Sequence, residues 1–139
     1  MDRRLARKEA LNLLFDYGFN EEKSAVELYA GAADARDFEP DEYIQTVVSG
    51  VLAKKDELDA VIEGNLKAWK KNRLPRISLA ILRMAIYEIM YMDSIPTSVS
   101  INEAVELAKI YGEEKDASFV NGLLGSVARA QDASDKDSE

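Results

Sequence analysis

The chain has 139 residues and a net charge of −8, and 47% of its residues are hydrophobic. This length suits one domain or two small, tightly packed subdomains, and the apolar content can build a core without disulfides or structural metal. Because the sequence contains neither Cys nor His, it excludes disulfides, zinc–cysteine sites and a catalytic thiol or imidazole.

Basic residues are concentrated in two segments of this acidic chain. Segment 1–8 holds four cations and one acid, and segment 65–76 holds five cations and no acid. Acidic residues cluster in segment 34–42 and at the C-terminus. Because the charges are separated, a protein with a negative net charge can still have a basic surface, and such a surface could bind nucleic acid. The charged N-terminus lacks an apolar signal region, so we expect a cytoplasmic location.

The first helix is predicted to begin after an Asp2 cap and to run to Tyr17, with Gly18 ending it. Its periodicity places a core face on Ala6, Ala10, Leu13, Leu14 and Tyr17. A neighbouring arc combines cations with an aromatic side chain and consists of Arg4, Arg7, Lys8, Leu11 and Phe15. The cations of this arc are expected to project into solvent. In an isolated helix such an arc is more simply a solvated surface than a binding site.

Three further helices are predicted before the middle of the chain. Asn20 can cap a second helix over residues 21–33, with inward-facing Val26, Tyr29 and Ala33. Pro40 suits the first position of a third helix, whose apolar stripe is Ile44, Val47, Val48, Val51 and Leu52. A fourth helix begins near Asp56 and passes into a basic loop that ends at Arg76. Trp69 fits the inward stripe of the fourth helix, so its assignment to the core and its assignment to a surface contact stay equally open.

The segment Arg76–Tyr91 is apolar on nearly every side and too short to span a membrane. It is therefore predicted to be a central helix that the other helices cover. Ser100 and Glu103 have the spacing of a capping box for the next helix. The last helix is predicted over residues 116–130, and residues 131–139 are expected to form a disordered acidic tail.

Enzymatic motifs are missing from the sequence. The glycines form no phosphate-binding loop, and a carboxylate di-iron site would need Glu-x-x-His. The remaining carboxylate pairs are typical of a solvated surface. We therefore expect a non-enzymatic function without a metal or cofactor.

Three segments resemble the motifs of one family: RMAIYEI at 83–89, INEAVELAK at 101–109 and FVNGLL at 119–124. Together with the arginine-rich start of the chain, they resemble the NusB family of bacterial transcription antitermination factors. The resemblance implies an all-α fold of two packed helical subdomains, about 1–54 and 55–130, around the central helix. It also implies binding of the boxA element of ribosomal RNA transcripts together with NusE, a small-ribosomal-subunit protein, in an antitermination complex on RNA polymerase.

The family's RNA contacts correspond to six positions of this chain: Arg3, Arg4, Arg7, Phe15, Trp69 and Phe119. Elementary chemistry adds Lys8 beside Phe15, and Lys67 and Lys70 beside Trp69, because single-stranded RNA is held by cations on its phosphates and aromatic rings under its bases. Phe119 fits the core better than an RNA contact.

Two other functions remain open at this point. One is a NusB-like module that delivers RNA in trans to a partner such as an rRNA-modifying enzyme. The other is a module that binds a protein through the same face. The sequence leaves the oligomeric state open, with a homodimer among the alternatives.

Overall fold

The computed structural model describes residues 2–36, 41–66 and 74–137, and its seven helices are all in these ranges. They are α1 (Arg3–Tyr17), α2 (Ala25–Arg36), α3 (Glu42–Ala53), α4 (Lys55–Gly64), α5 (Arg76–Tyr91), α6 (Thr97–Tyr111) and α7 (Glu114–Asp137). These ranges contain no strand. The predicted all-α fold is therefore confirmed.

Helix α5 is the centre of the bundle and packs against α1, α3, α4, α6 and α7. Its side chains at Leu82 and Ile86 are completely buried, as an apolar helix in water requires. Every helix contributes residues to one continuous hydrophobic core. The prediction of a buried central helix is confirmed, and the division into subdomains near residue 54 stays a prediction.

Helix α1 begins as its sequence predicts. The Asp2 carboxylate accepts a hydrogen bond of 2.8 Å from the Leu5 amide, which satisfies one of the free N–H groups at the helix start. The whole predicted core face is buried. Leu11 is also fully buried, although it was assigned to the neighbouring arc, so the core covers more of α1 than the pattern predicted.

The predicted start of the second helix is wrong. Helix α2 begins at Ala25, because Ser24 and Glu27 form a capping box. The Ser24 hydroxyl accepts from the Glu27 amide at 3.1 Å, and the Glu27 carboxylate accepts from the Ser24 amide at 3.4 Å. With this start, Leu28 is buried and Val26 is 77% exposed, contrary to the inward face predicted for Val26.

The capping box predicted at Ser100 is also wrong. Helix α6 already begins at Thr97, directly after Pro96, so Ser100 lies within the helix. The Ser100 hydroxyl donates to the Glu88 carboxylate at 2.9 Å instead of capping the helix. Because Ser100 lies inside the helix, the amide three residues later already has a helical acceptor and needs no cap.

The Tyr87 ring of α5 packs directly against the α3 backbone at Gly50. A Cβ atom added there would lie 2.1 Å from the nearest ring carbon of Tyr87. Only glycine leaves room for this ring beside the α3 backbone.

Helix α7 continues to Asp137, past the point at which disorder was predicted. After Gly125 the sequence contains neither glycine nor proline, so no helix-terminating residue precedes the end of the chain. Residues 138 and 139 of the predicted tail lie outside the described residues.

Candidate nucleic-acid interface

Three cations at the start of α1 face solvent to different degrees, and we call Arg3, Arg4 and Lys8 the α1 basic surface. Arg3 is exposed, and its guanidinium lies 4.7 Å from the ring centroid of Tyr43. Lys8 is half-buried, and within the described ranges no acidic side chain forms an ion pair with it. A guanidinium resting on an aromatic ring is held in a defined place while its charge stays available.

Arg7 does not belong to this surface. The side chain is buried, with 4% of the residue exposed. Its Nε and Nη2 atoms donate to the two Glu88 carboxylate oxygens at 2.9 and 3.0 Å. The prediction that Arg7 projects into solvent with Arg4 and Lys8 is therefore wrong, because a buried carboxylate on α5 requires a cation partner.

Glu88 is the centre of a polar cluster that joins four helices. Besides Arg7 of α1, its carboxylate accepts hydrogen bonds from the Tyr43 hydroxyl of α3 and from the Ser100 hydroxyl of α6. We call these four residues the Glu88 network. Burial, the charge of Glu88 and the hydrogen bond to it raise the pKa of Tyr43 above its ordinary value. In the described part of the chain, no buried side-chain nitrogen or oxygen lacks a hydrogen-bond partner.

Arg4 forms a second bidentate pair, at the surface. Its Nη2 and Nε atoms donate to the Glu103 carboxylate of α6 at 2.9 and 3.2 Å. The side chain of Arg4 is 75% exposed and that of Glu103 is 18% exposed. The hydrogen bond and charge of Glu103 raise the pKa of Arg4. Both residues line a cleft of about 210 Å³ between α1 and α6, together with Arg7, Lys8, Glu106, Leu107 and Ile110.

Aromatic side chains lie at the other end of α1. Phe15 is half-buried, and its ring meets that of Phe19 edge-on at 5.2 Å between centroids. Phe19 is 57% exposed. The Arg76 guanidinium lies 4.4 Å from the Phe19 ring centroid and donates to the Gly18 carbonyl. The structure therefore places an exposed aromatic ring, Phe19, beside Phe15, and a cation, Arg76, over that exposed ring.

Four predicted site residues remain, namely Phe119, Lys67, Trp69 and Lys70. Phe119 is half-buried and packs against the core, in agreement with its core assignment. Lys67, Trp69 and Lys70 lie outside the described residues.

The sequence analysis missed the acidic partners of the arginines, Glu88 and Glu103. A signal for the first was available, because Glu88 is the one acid in a helix predicted to be buried, and buried carboxylates require a cation. The position of Glu103 next to Arg4 depends on how α1 and α6 pack, which periodicity does not show.

The sequence of this chain is similar to known proteins of one family. The sequence pattern described as "NusB family" matches residues 4–129. The chain belongs to the NusB family. Its curated relatives include the "Transcription antitermination protein NusB" of Listeria monocytogenes serotype 4b, which is 43% identical over 92% of this chain and 97% of the relative. The protein of the same description from Clostridium novyi is 41% identical and covers 94% of this chain and 100% of its own length.

Solved structures of the NusB family share the fold. The structure described as "T. maritima NusB" superposes with a TM-score of 0.80 at 29% identity and covers 93% of this chain and 92% of its own. A structure of "Antitermination Factors NusB and NusE in complex with dsRNA" superposes with a TM-score of 0.83 at 25% identity, covering 92% and 96%. The resemblance to the NusB family is thus confirmed. Among the described helices, none has the length and apolarity needed to cross a membrane.

Proposed function

We propose that this chain is a transcription antitermination factor that binds the boxA element of ribosomal RNA transcripts together with NusE, within a complex on RNA polymerase. The proposal rests on membership of the NusB family and on relatives described as transcription antitermination proteins. Its strongest single support is the structural neighbour that contains NusB, NusE and RNA. Transcription takes place in the bacterial cytoplasm, so that is the location we propose.

The α1 basic surface is the proposed contact with RNA phosphates. Single-stranded RNA is bound through cations on its backbone and through aromatic or guanidinium planes under its bases. Arg3 and Lys8 supply cations whose charge no described carboxylate neutralises in an ion pair. Phe15 near the C-terminal end of the same helix and Phe19 just after that end supply aromatic rings.

Arg7 has a different part in this proposal. Because its guanidinium is buried against Glu88, it holds α1 in place and orients the basic surface, and it does not contact a phosphate. We keep Lys67, Trp69 and Lys70 as a second group of proposed RNA contacts, and we assign Phe119 to the core.

A titration of fluorescent boxA RNA, with a scrambled RNA of equal length as control, tests the proposal. It is run with and without NusE at several salt concentrations. We expect preference for boxA, tighter binding with NusE, and a salt slope that falls by about 1.4 in the variant Arg3→Ala, Lys8→Ala, since each phosphate contact on a single strand contributes about 0.7.

Lys54→Ala is the control for loss of an exposed cation, because Lys54 lies over the Tyr91 ring on another part of the bundle. Equal binding of boxA and scrambled RNA would contradict the proposed function. If the chain bound both RNAs equally but still bound NusE, a protein-interaction module would be the better description.

A further inference from the structure

The Arg4–Glu103 pair is fixed by the buried network beneath it. Arg7, one turn after Arg4 on α1, is bonded to Glu88. Ser100, one turn before Glu103 on α6, is bonded to the same carboxylate. The Glu88 network therefore sets the separation of α1 and α6 at the level of the pair. Two side chains that the scaffold already places face to face lose little conformational freedom when they bond.

The pair occupies one of the edges of the Arg4 guanidinium that could bind a phosphate. A guanidinium binds carboxylates and phosphates through the same planar fork of N–H donors. In this structure Nε and Nη2, which form one edge of the fork, both donate to Glu103. Arg4 and Glu103 together are neutral, so as a pair they add nothing to the net charge that attracts an RNA backbone.

We propose that Glu103 sets the RNA affinity of this chain by competing with an RNA phosphate for Arg4. The inference rests on the proposed function and names a residue that limits binding at the same surface. A phosphate that binds the Nε–Nη2 edge of Arg4 must first displace the Glu103 carboxylate from that edge. Arg3 and Lys8 make the first contacts, because neither is held in an ion pair with a described acid.

The exchange predicts a gain of function from removing the acid. Glu103→Gln keeps the shape of the side chain and removes its charge, which frees Arg4 for the RNA backbone. We expect boxA RNA to bind about two- to fivefold more tightly, the range that corresponds to an exposed ion pair. The salt slope should become steeper by up to about 0.7, because one more phosphate is neutralised.

Glu106→Gln is the matched control. Glu106 lies one turn further along α6, lines the same cleft, and has its carboxylate 3.4 Å from Lys109 instead of on Arg4. The substitution makes the same change in net charge but leaves Arg4 bonded to Glu103. Its effect on RNA affinity and on the salt slope should therefore be smaller. In the double variant Arg4→Ala, Glu103→Gln the gain should disappear.

The measurement is the boxA titration described above, with thermal melting of each variant as the test of folding. Unchanged or weaker binding by Glu103→Gln, with an unchanged salt slope and a retained preference for boxA, would overturn the role of Glu103 and leave the pair as a strap between α1 and α6. Loss of boxA preference in the unmodified chain would contradict the proposed function itself. The two failures are therefore distinguishable.

Discussion

Replacing Arg7 by Ala should destabilise the fold far more than an exposed arginine would. The Arg7 and Glu88 side chains are 5% and 1% exposed, so the change leaves a buried carboxylate without its cation. Removing one partner of a buried ion pair costs about 3–5 kcal/mol. For a domain of this size that corresponds to a fall in melting temperature of roughly 10 °C or more.

Arg4→Ala is the matched comparison, because Arg4 also forms a bidentate pair with a glutamate of another helix, but at the surface. Its melting temperature should stay within about 2 °C of the unmodified protein. Urea unfolding followed by circular dichroism gives the free energies of both variants.

The double variant Arg7→Ala, Glu88→Gln tests the cause. If the penalty comes from the unpaired buried charge, neutralising that charge should recover part of the lost stability, and the two changes should be non-additive. A melting temperature of Arg7→Ala close to that of the unmodified protein would refute the reasoning.

Four other substitutions probe the packing and the pH dependence of stability. Gly50→Ala should cost about 1–3 kcal/mol because its Cβ would overlap the Tyr87 ring, whereas Gly122→Ala, which meets nothing within 4 Å, should raise the free energy of unfolding by up to about 1 kcal/mol. The raised pKa of Tyr43 stabilises the fold below its unfolded-state pKa of about 10, so the free energy of unfolding should decrease above about pH 10, and less so in Tyr43→Phe. Ile86→Asp would put a charge at a completely buried position. The variant should therefore not fold, and its thermal melt should show no cooperative transition.

The sequence predicted elements that depend on local periodicity and capping. The burial of α5 and the Asp2 cap of α1 could be predicted because each depends only on residues that are close together in the sequence. The start of α2 was missed because two capping residues compete there. Asn20 and Ser24 are both good caps, and only Ser24 has a glutamate three residues later.

The surface chemistry was harder to predict for a physical reason. A helical wheel places Arg4, Arg7 and Lys8 on one arc, but the depth of each side chain depends on the helix packed beside that arc. Arg7 is buried because Glu88 of α5 lies opposite it, and Arg4 stays at the rim opposite Glu103. Sequence patterns within one helix carry no information about an acid on another helix.

The Glu88 network also determines how the beginning of the chain behaves over time. Terminal helical turns commonly open and close many times without the rest of a protein unfolding. Here such an opening would draw Arg7 away from Glu88 and leave a buried carboxylate without its cation. The amide hydrogens of α1 after Arg7 should therefore exchange with solvent only as fast as the whole bundle unfolds. Of the α1 basic surface, Lys8 therefore lies in a segment as persistent as the core, whereas Arg3 and Arg4 precede the anchor at Arg7.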